Sequence, residues 1–480
     1  MTAITRSHLF IGGKWTGPSS SRQLTGINST TEEVLGIVPE ANEADGDAAV
    51  AAAREAFDHS GWATADPAER AATMRRFADA IDARQEEIAR LITQQVGMPI
   101  ELARLFETSF PPTLLRYYAE LAASTNFEER RPSPMGFDSL VRREPVGVVA
   151  AITPWNFPVI AAMMKIAPAL AAGCTMVVKP SPDAALDSFL LAEAAEEAGF
   201  PPGVINWVPG GSELGAHLVS HPDVDKVAFT GSSAIGRSVG EACGRLLRPV
   251  SLELGGKAAG LVLDDADLDI VIRDLPLVSM ANSGQACAAV TRILAPRSRY
   301  DEVVDALAGW ASSRVIGDPL DTDTQIGPVA TARHRDRIEA HIAKGKAEGG
   351  RIVAGGGRPA TRQRGWFVEP TVFADVDENA TIAQEEIFGP VLAILPYDGD
   401  DEAVRIANNS EYGLGGAVWS ADTQRAQGLA QRMRTGSVSL NGTLIDLNAP
   451  FGGWKNSGFG RELGPEGMDN YLHTKSIFLP

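Results

Sequence analysis

From Glu43 to about Glu120 apolar residues recur at the spacing of a helix face through Ala-rich, charged sequence, and Pro67-Ala-Glu-Arg70 opens a helix predicted to run through Leu91. Helices of this kind cover a sheet. Between Arg130 and Val149 the pattern changes. Pro132, Pro134 and Gly136 interrupt it, and the extended runs 139–142 and 145–149 predict a hairpin or protruding arm, with a plain surface loop as the other reading. From Val148 to about Leu263 short β-branched runs at 148–152, 176–178, 204–207, 226–229 and 250–252 alternate with Ala-rich helical patterns, which predicts a parallel sheet with helices on its faces. In such open sheets ligands bind beyond the carboxyl ends of the strands. After Asp264 a second α/β block follows, with helices near 267–280 and 300–314, strands near 292–295 and 391–395, and a Gly-rich turn at 354–357. The sequence carries no internal repeat.

With 480 residues, 44% of them hydrophobic, the chain has material for two or three domains with cores of their own. A formal net charge of −18 repels nucleic acid and anionic membrane surfaces, which excludes polyanion binding as a role. The three cysteines, Cys174, Cys243 and Cys287, have neither the spacing of a metal site nor that of a disulfide framework, so no metal is expected and a reducing cytoplasm is the expected location. Residues 1–10 lack the apolar core of a signal peptide, and no run approaches the roughly 20 apolar residues of a membrane span.

Against that plain background two segments carry chemistry. Cys287 ends Ser283-Gly-Gln-Ala-Cys287 and Glu253 opens Glu253-Leu-Gly-Gly-Lys257, a candidate thiol nucleophile and a candidate carboxylate base for work on a carbonyl. None of the seven histidines falls near Cys287 in sequence, so Glu253 is the better base candidate than a papain-like histidine. Asn156, in the proline-bracketed turn Thr153-Pro-Trp-Asn-Phe-Pro158, has two readings. It donates to a developing oxyanion together with the Cys287 N–H, an arrangement in which losing one donor costs about 2.7–4 kcal/mol, or it caps the helix starting near Val159. The run from Val227 through Gly231, Ser232 and Gly236 places a strand, a small-residue turn and a helix start in succession, suited to cradling a phosphate. The Gly-x-Gly-x-x-Gly fingerprint is absent, and such a turn also serves simply to close a fold. Lys179, in Lys179-Pro-Ser-Pro182, follows a strand, where it either holds a ribose or phosphate or is solvated.

Taken together, Pro154-Trp-Asn-Phe-Pro158, Lys179-Pro-Ser181, Phe229-Thr-Gly-Ser232 with Gly236, Glu253-Leu-Gly-Gly-Lys257, Gly284-Gln-Ala-Cys287, Glu386-Ile-Phe-Gly-Pro390 and Pro450-Phe-Gly-Gly-Trp-Lys455 with Ser457-Gly458 resemble, in order and spacing, the NAD(P)-dependent aldehyde dehydrogenase superfamily of the hydrolytic, non-phosphorylating type. The resemblance spans essentially the whole chain. It implies an α/β fold: a Rossmann-like cofactor domain (1–126 and 146–254), an α/β catalytic domain (255–450), and a small β oligomerisation arm with a C-terminal segment (127–145 and 451–480). It also implies a homodimer or homotetramer.

For chemistry, the resemblance implies that Cys287 adds to the aldehyde carbon, that the oxyanion rests on Asn156 and the Cys287 amide, that hydride leaves for nicotinamide, and that Glu253 activates the water that hydrolyses the thioester. Lys165 is similar to a lysine that helps relay the proton. Lys179 and Ser181 match adenine-ribose contacts, Ser232 a pyrophosphate contact, and Glu386 and Phe388 the nicotinamide ribose and ring. Ile152, Trp155, Gly211, Gly231, Gly236 and Leu254 complete the expected cofactor cleft. NAD is the expected cofactor. Pro182 stands where many NAD-selective members carry a ribose-binding glutamate, so the 2′-phosphate of NADP is not repelled. The substrate tunnel is expected to be walled by Phe157, Ile160, Ala161, Met164, Met280, Ala281 and the loop 442–448 with Asp446, and to have Asn441 at its inner end. That apolar set suggests a bulky hydrophobic aldehyde, aromatic or terpenoid, and offers no arginine for a substrate carboxylate. CoA-acylating relatives typically lack the base, so Glu253 counts against that branch, and the joint presence of Cys287, Glu253 and Asn156 counts against a catalytically silent member.

Overall fold

Strand Val148–Ile152 is buried at every position, as a strand covered by helices on both faces must be. It stands near the middle of an eight-stranded sheet in a computed structural model that describes residues 4–442 and 445–480. Across this sheet run Gly458–Phe459, Val250–Glu253, Lys226–Thr230, Val148–Ile152, Thr175–Lys179, Ile205–Trp207, Leu9–Ile11 and Lys14–Thr16. The five strands from Val250–Glu253 to Ile205–Trp207 are parallel, so their carboxyl ends open along one edge. Four of those ends deliver residues singled out in the sequence: Ile152 with the Asn156 turn, Lys179, Thr230 with Gly231, and Glu253.

A second, seven-stranded sheet is built from the later block, with Ala258–Val262, Val290–Pro296 and Val391–Tyr397 as its buried centre. Cys287 lies just before Val290–Pro296, facing back toward the first sheet. The arm is a hairpin, Glu128–Pro132 with Asp138–Pro145, extended to three strands by Leu472–Leu479. The segment after residue 450 serves two sheets, because Gly458–Phe459 also pairs antiparallel with Val250–Glu253.

Two features differ from the sequence-based expectation. The helix expected through Leu91 is two helices, Pro67–Asp82 and Gln85–Val96. Arg84 donates to the Ala80 carbonyl and Gln85 to the Asp82 carboxylate, so the polar run at the break satisfies the helix ends and lets the chain turn with both apolar faces on the core. The first 39 residues hold short strands, among them Gln23–Ile27 and Val34–Pro39, too brief and too mixed in pattern to register as strands in the sequence.

Candidate active site

The nucleophile candidate is set by an unusual loop. Asn282 and Ser283 both hold left-handed backbone angles, φ 50° and 56°, a conformation that needs support from its surroundings. Side-chain amides supply it: Asn282 donates to the Asn156 carbonyl at 2.8 Å, Gln285 donates to the Asn282 carbonyl at 3.0 Å, and Ala330 N–H donates to the Gln285 side chain at 2.9 Å. Asn156 Nδ2 returns a bond to the Gln285 carbonyl at 2.8 Å. One of its two N–H groups is thus spent in holding the loop, and the other is available to a substrate oxygen. Gly256 lets the segment that carries Glu253 approach this loop, since a Cβ there would sit 2.2 Å from the Cys287 carbonyl oxygen.

Glu253 ends its strand almost fully buried, and neither carboxylate oxygen accepts a hydrogen bond of normal geometry among the described residues. Burial raises its pKa well above the ordinary carboxylate range, and the nearby Glu462 raises it further, against the opposing pull of Lys165 and Arg461. Burial likewise pushes the Cys287 thiol up to about 12, with Glu253 and Glu386 adding to the effect. The resting site therefore keeps the thiol protonated and holds a proton-hungry carboxylate beside it. Lys165, fully buried on the helix Pro158–Ala172, donates to Glu462 and to Thr230 Oγ1, each at 2.5 Å. Glu462 went unnoticed in the sequence. It lies far from Lys165 along the chain, and its only signal there was its place just beyond the Pro450–Gly458 motifs.

Two cavities meet at Cys287, which lines both. One, of about 910 Å³, runs along the open sheet edge. Ile152, Trp155, Lys179, Ser181, Gly211, Gly231, Ser232 and Leu254 line it from the side of the first sheet, and Glu386 and Phe388 from the side of the second. Gly236 does not; it lies one helical turn behind, where the bare backbone admits Leu254 against the helix Ser233–Arg245. Lys179 donates to the carbonyls of Gly210 and Pro180, and burial pushes its ammonium down to about 8. A basic stretch absent from the expected set, Arg333, His334 and Arg337 on the helix Ala332–Ala347, closes the far wall. His334 stacks on Trp155 with ring centroids 4.3 Å apart, and burial beside the two arginines lowers its pKa to about 4, so the ring is neutral.

The other cavity, of about 480 Å³, is apolar. Phe157, Ile160, Ala161, Met164, Ala281 and Asp446 line it, as do Asn156, Glu253 and Glu462 at its inner end. Leu105, Phe106, Phe110 and Leu277 add apolar wall that the sequence reading missed, although Phe106 and Phe110 stand at helical i, i+4 spacing. No lysine or arginine lines it among the described residues. Two expected wall residues lie elsewhere. Met280 is packed in the core beneath the second sheet. Asn441 turns its amide onto both backbone groups of Ser420, at 3.1 Å each, and clamps neighbouring strands instead of facing substrate. In the expected loop 442–448, Ile445 and Asp446 reach the cavity, while Thr443 and Leu444 lie outside the described residues.

Away from the cleft, Asp47, His217 and His221 cluster at the surface. His217 Nε2 lies 2.6 Å from Asp47 Oδ1, and His221, whose Nδ1 accepts the Asp223 N–H, stands with its Nε2 3.3 Å from the same oxygen.

The geometry can be set beside known proteins. The chain is 59% identical to a geranial dehydrogenase from Castellaniella defragrans, over 99% of each sequence. It is 42% identical to a 3-succinoylsemialdehyde-pyridine dehydrogenase from a Pseudomonas species, over 98% of this chain and 97% of the other. Its fold superposes on the crystal structure of a Mycobacterium tuberculosis aldehyde dehydrogenase complexed with NAD+ at a TM-score of 0.98, with 47% identity, covering 100% of this chain and 99% of that one. A Pseudomonas syringae aldehyde dehydrogenase C mutant complexed with NAD+ and octanal follows at 0.95, with 40% identity over 98% and 96% of the two chains. Residues 15–477 match the aldehyde dehydrogenase family as a whole. With its thiol at the junction of two cavities and this likeness along nearly its full length, the chain belongs to the aldehyde dehydrogenase family.

Proposed function

We propose that the protein oxidises a bulky apolar aldehyde of the branched terpenoid kind to its carboxylate, with NAD as hydride acceptor, through a covalent intermediate on Cys287. The observation that carries this reading is the position of Cys287, which lines both an apolar cavity and a long cleft at the strand ends. The apolar cavity, free of lysine and arginine among the described residues, suits a hydrocarbon chain better than a second carboxylate. The 59% identity to a geranial dehydrogenase supports the same substrate class.

The cleft fits a dinucleotide on its own chemistry. The turn at Gly231 and Ser232 leads into the helix Ser233–Arg245, whose N-terminal N–H groups and dipole favour a pyrophosphate. A Cβ at Gly231 would meet the Phe229 ring at 2.6 Å, so the backbone lies tight against that ring and leaves the cleft open. Lys179, Ser181, Glu386, Phe388 and Trp155 all line this one cleft, which supports reading the first two as adenine-ribose contacts and the other three as the nicotinamide end. Pro182 presents no carboxylate, and the neighbouring Asp183 is paired with Arg333 at 2.9 Å, so NADP is the second cofactor to assay.

In the reaction, Glu253 takes the thiol proton as Sγ of Cys287 adds to the aldehyde carbon. The raised proton affinity of that buried carboxylate suits it to the task. Charge developing on the former carbonyl oxygen is held by the Cys287 N–H and by Asn156 Nδ2. When bound, the nicotinamide supplies the hydride acceptor that leaves the carbon at the oxidation level of a thioester. Glu253 then draws a proton from water attacking that thioester, sulfur departs, and the carboxylate is released. The pair Lys165 and Glu462 forms the route by which the proton leaves Glu253.

Self-association as a homodimer or homotetramer and a cytoplasmic setting belong to the same proposal. The arm supports the first, with every residue of Glu128–Pro132 exposed and Phe478 71% exposed. Cys174, Cys243 and Cys287 are unpaired, as a reducing compartment keeps them, and among the described residues no helix is long and apolar enough to cross a membrane.

The deciding experiment is initial-rate absorbance at the reduced-nicotinamide band with aliphatic, aromatic and terpenoid aldehydes, each with NAD and with NADP, for the parent protein and Cys287→Ala. Turnover highest with geranial-like aldehydes and lost in the variant is expected. No turnover with any aldehyde, even with CoA added, would overturn the reading.

A further inference from the structure

Glu107 is a fully buried carboxylic acid for which the proposed reaction has no use. It lies in a π-helical turn, Arg104–Ser109, between the helices Ile100–Ala103 and Phe110–Ser124. The wide turn has a cause in the sequence. Pro111 and Pro112 have no N–H, so carbonyls one turn earlier lose their donors and the helix opens. Turns of this type often mark functional positions.

The acid reaches across to another element. Its Oε2 accepts the backbone N–H of Val159 at 2.8 Å and of Ile160 at 3.3 Å, two otherwise orphaned donors in the first turn of Pro158–Ala172. The local N-cap residue, Phe157, has no side chain able to do this, so the cap comes from 52 residues away. The second oxygen, Oε1, is buried with no hydrogen-bond partner among the described residues. Burial pushes the acid up to about 8, which keeps it protonated at neutral pH. A core built only for stability would avoid such an orphaned atom.

What the bond joins explains its presence. Leu105, Phe106 and Phe110, from the turn and the residue that follows it, wall the apolar cavity on one side. Ile160, Ala161 and Met164, on the helix that Glu107 caps, wall it on another. Phe106, adjacent to Glu107, meets Phe157 edge-on with ring centroids 5.9 Å apart and planes at 85°. The same capped helix carries Lys165 and follows the Asn156 turn.

We propose that Glu107 is a positioning residue that fastens two walls of the aldehyde cavity to each other, and through their separation sets the size of aldehyde the protein accepts. The inference rests on reading that cavity as the aldehyde site. It is tested on the full chain with NAD by comparing kcat/KM for geranial with kcat/KM for propanal, which fills little of the cavity. The variants are Glu107→Ala, Glu107→Gln, Phe106→Ala and the double variant Glu107→Ala with Phe106→Ala.

Glu107→Ala is expected to lower the geranial-to-propanal ratio about tenfold or more, mainly through a raised KM for geranial. Glu107→Gln, which copies the protonated acid in shape and keeps an acceptor oxygen, is expected to restore the ratio to within about threefold. Phe106→Ala lowers the ratio as well, and adding Glu107→Ala then lowers it little further. An equal loss for both aldehydes, an unchanged ratio, or Glu107→Gln behaving as Glu107→Ala overturns the proposal. Should Glu107→Ala not fold, Glu107→Asp withdraws the carboxyl by one methylene, and the ratio must fall there instead. If the parent protein does not oxidise geranial, the reading of the cavity fails separately, and the ratio is taken between propanal and the bulkiest aldehyde it does oxidise.

Discussion

Lys165 Nζ lies 2.5 Å from Glu462 Oε1, an ion pair whose two side chains are 1% and 7% exposed. Taking one partner from such a pair leaves a buried charge uncompensated and costs about 3–5 kcal/mol. The pair also has an electrostatic effect on the proposed general base, because Glu462 raises the Glu253 carboxyl while Lys165 lowers it.

Replacing Glu462 by glutamine therefore moves Glu253 in a known direction. Loss of the neighbouring negative charge lowers its pKa, and Lys165, relieved of its counter-ion, lowers it further. Activity that needs ionised Glu253 should show its acidic limb in kcat/KM at lower pH than in the parent, together with a reduced kcat. A pH profile with an unmoved limb would separate the pair from the base.

Glu253→Gln should slow both halves of the reaction. The amide accepts a proton neither from the Cys287 thiol nor from water, so turnover falls by about 10²–10⁴ or more. No burst of reduced cofactor, and no acyl mass on Cys287 in the denatured protein, are the expected observations. A single burst per site with the acyl mass retained would confine Glu253 to deacylation.

Asn156→Ala removes one of two donors to the developing oxyanion and should lower kcat by about 10²–10³. Because Asn156 also bonds Gln285, thermal unfolding is followed in parallel. Similar unfolding temperatures combined with a kcat within about twofold of the parent would leave Asn156 with its loop-holding role alone.

Ala161→Phe narrows the apolar cavity without touching the cleft along the sheet edge. Catalytic efficiency with geranial should fall by about tenfold or more while the KM for NAD stays put, as a steric exclusion requires. A rise in the KM for NAD would show that the two cavities do not work independently.

Buried acids make stability depend on pH. Glu107 is raised to about 8 and Asp187 to about 7, both from near 4 in an unfolded chain. Both bind protons more tightly in the folded state, so their contribution is fully present below about pH 4 and is lost as pH rises through about 7 to 8. The unfolding temperature should decline between about pH 4 and pH 8, and Glu107→Gln, which does not titrate, should flatten the decline. An identical decline in the variant would rule out Glu107 as a source.

The alternation of β-branched runs with Ala-rich helices made the first sheet legible, because strands such as Val148–Ile152 are apolar throughout. Cys287, Glu253, Asn156 and ten of the eleven expected cofactor residues line the two cavities, each lying in a turn or at a strand end whose glycines and prolines mark it in the sequence. Glu462 and Glu107 were invisible for a shared reason: each acts through a partner dozens to hundreds of residues away, and an isolated glutamate carries no sign of burial. Met280 and Asn441 were misplaced because one residue of backbone rotation decides which face a side chain takes. Asn441 turns at φ 47°, and its amide goes to Ser420.

The strand Gly458–Phe459 covers the free edge of Val250–Glu253, and Glu462 follows it closely in the chain. During synthesis these residues emerge long after the strand they cover, while domains fold as their sequence emerges. A nascent chain that has not yet reached them already carries Cys287, Glu253 and Asn156, yet it has an uncovered strand edge and a lysine without its counter-ion. The first sheet therefore keeps an open edge, and Lys165 an uncompensated charge, until the segment 458–462 joins them.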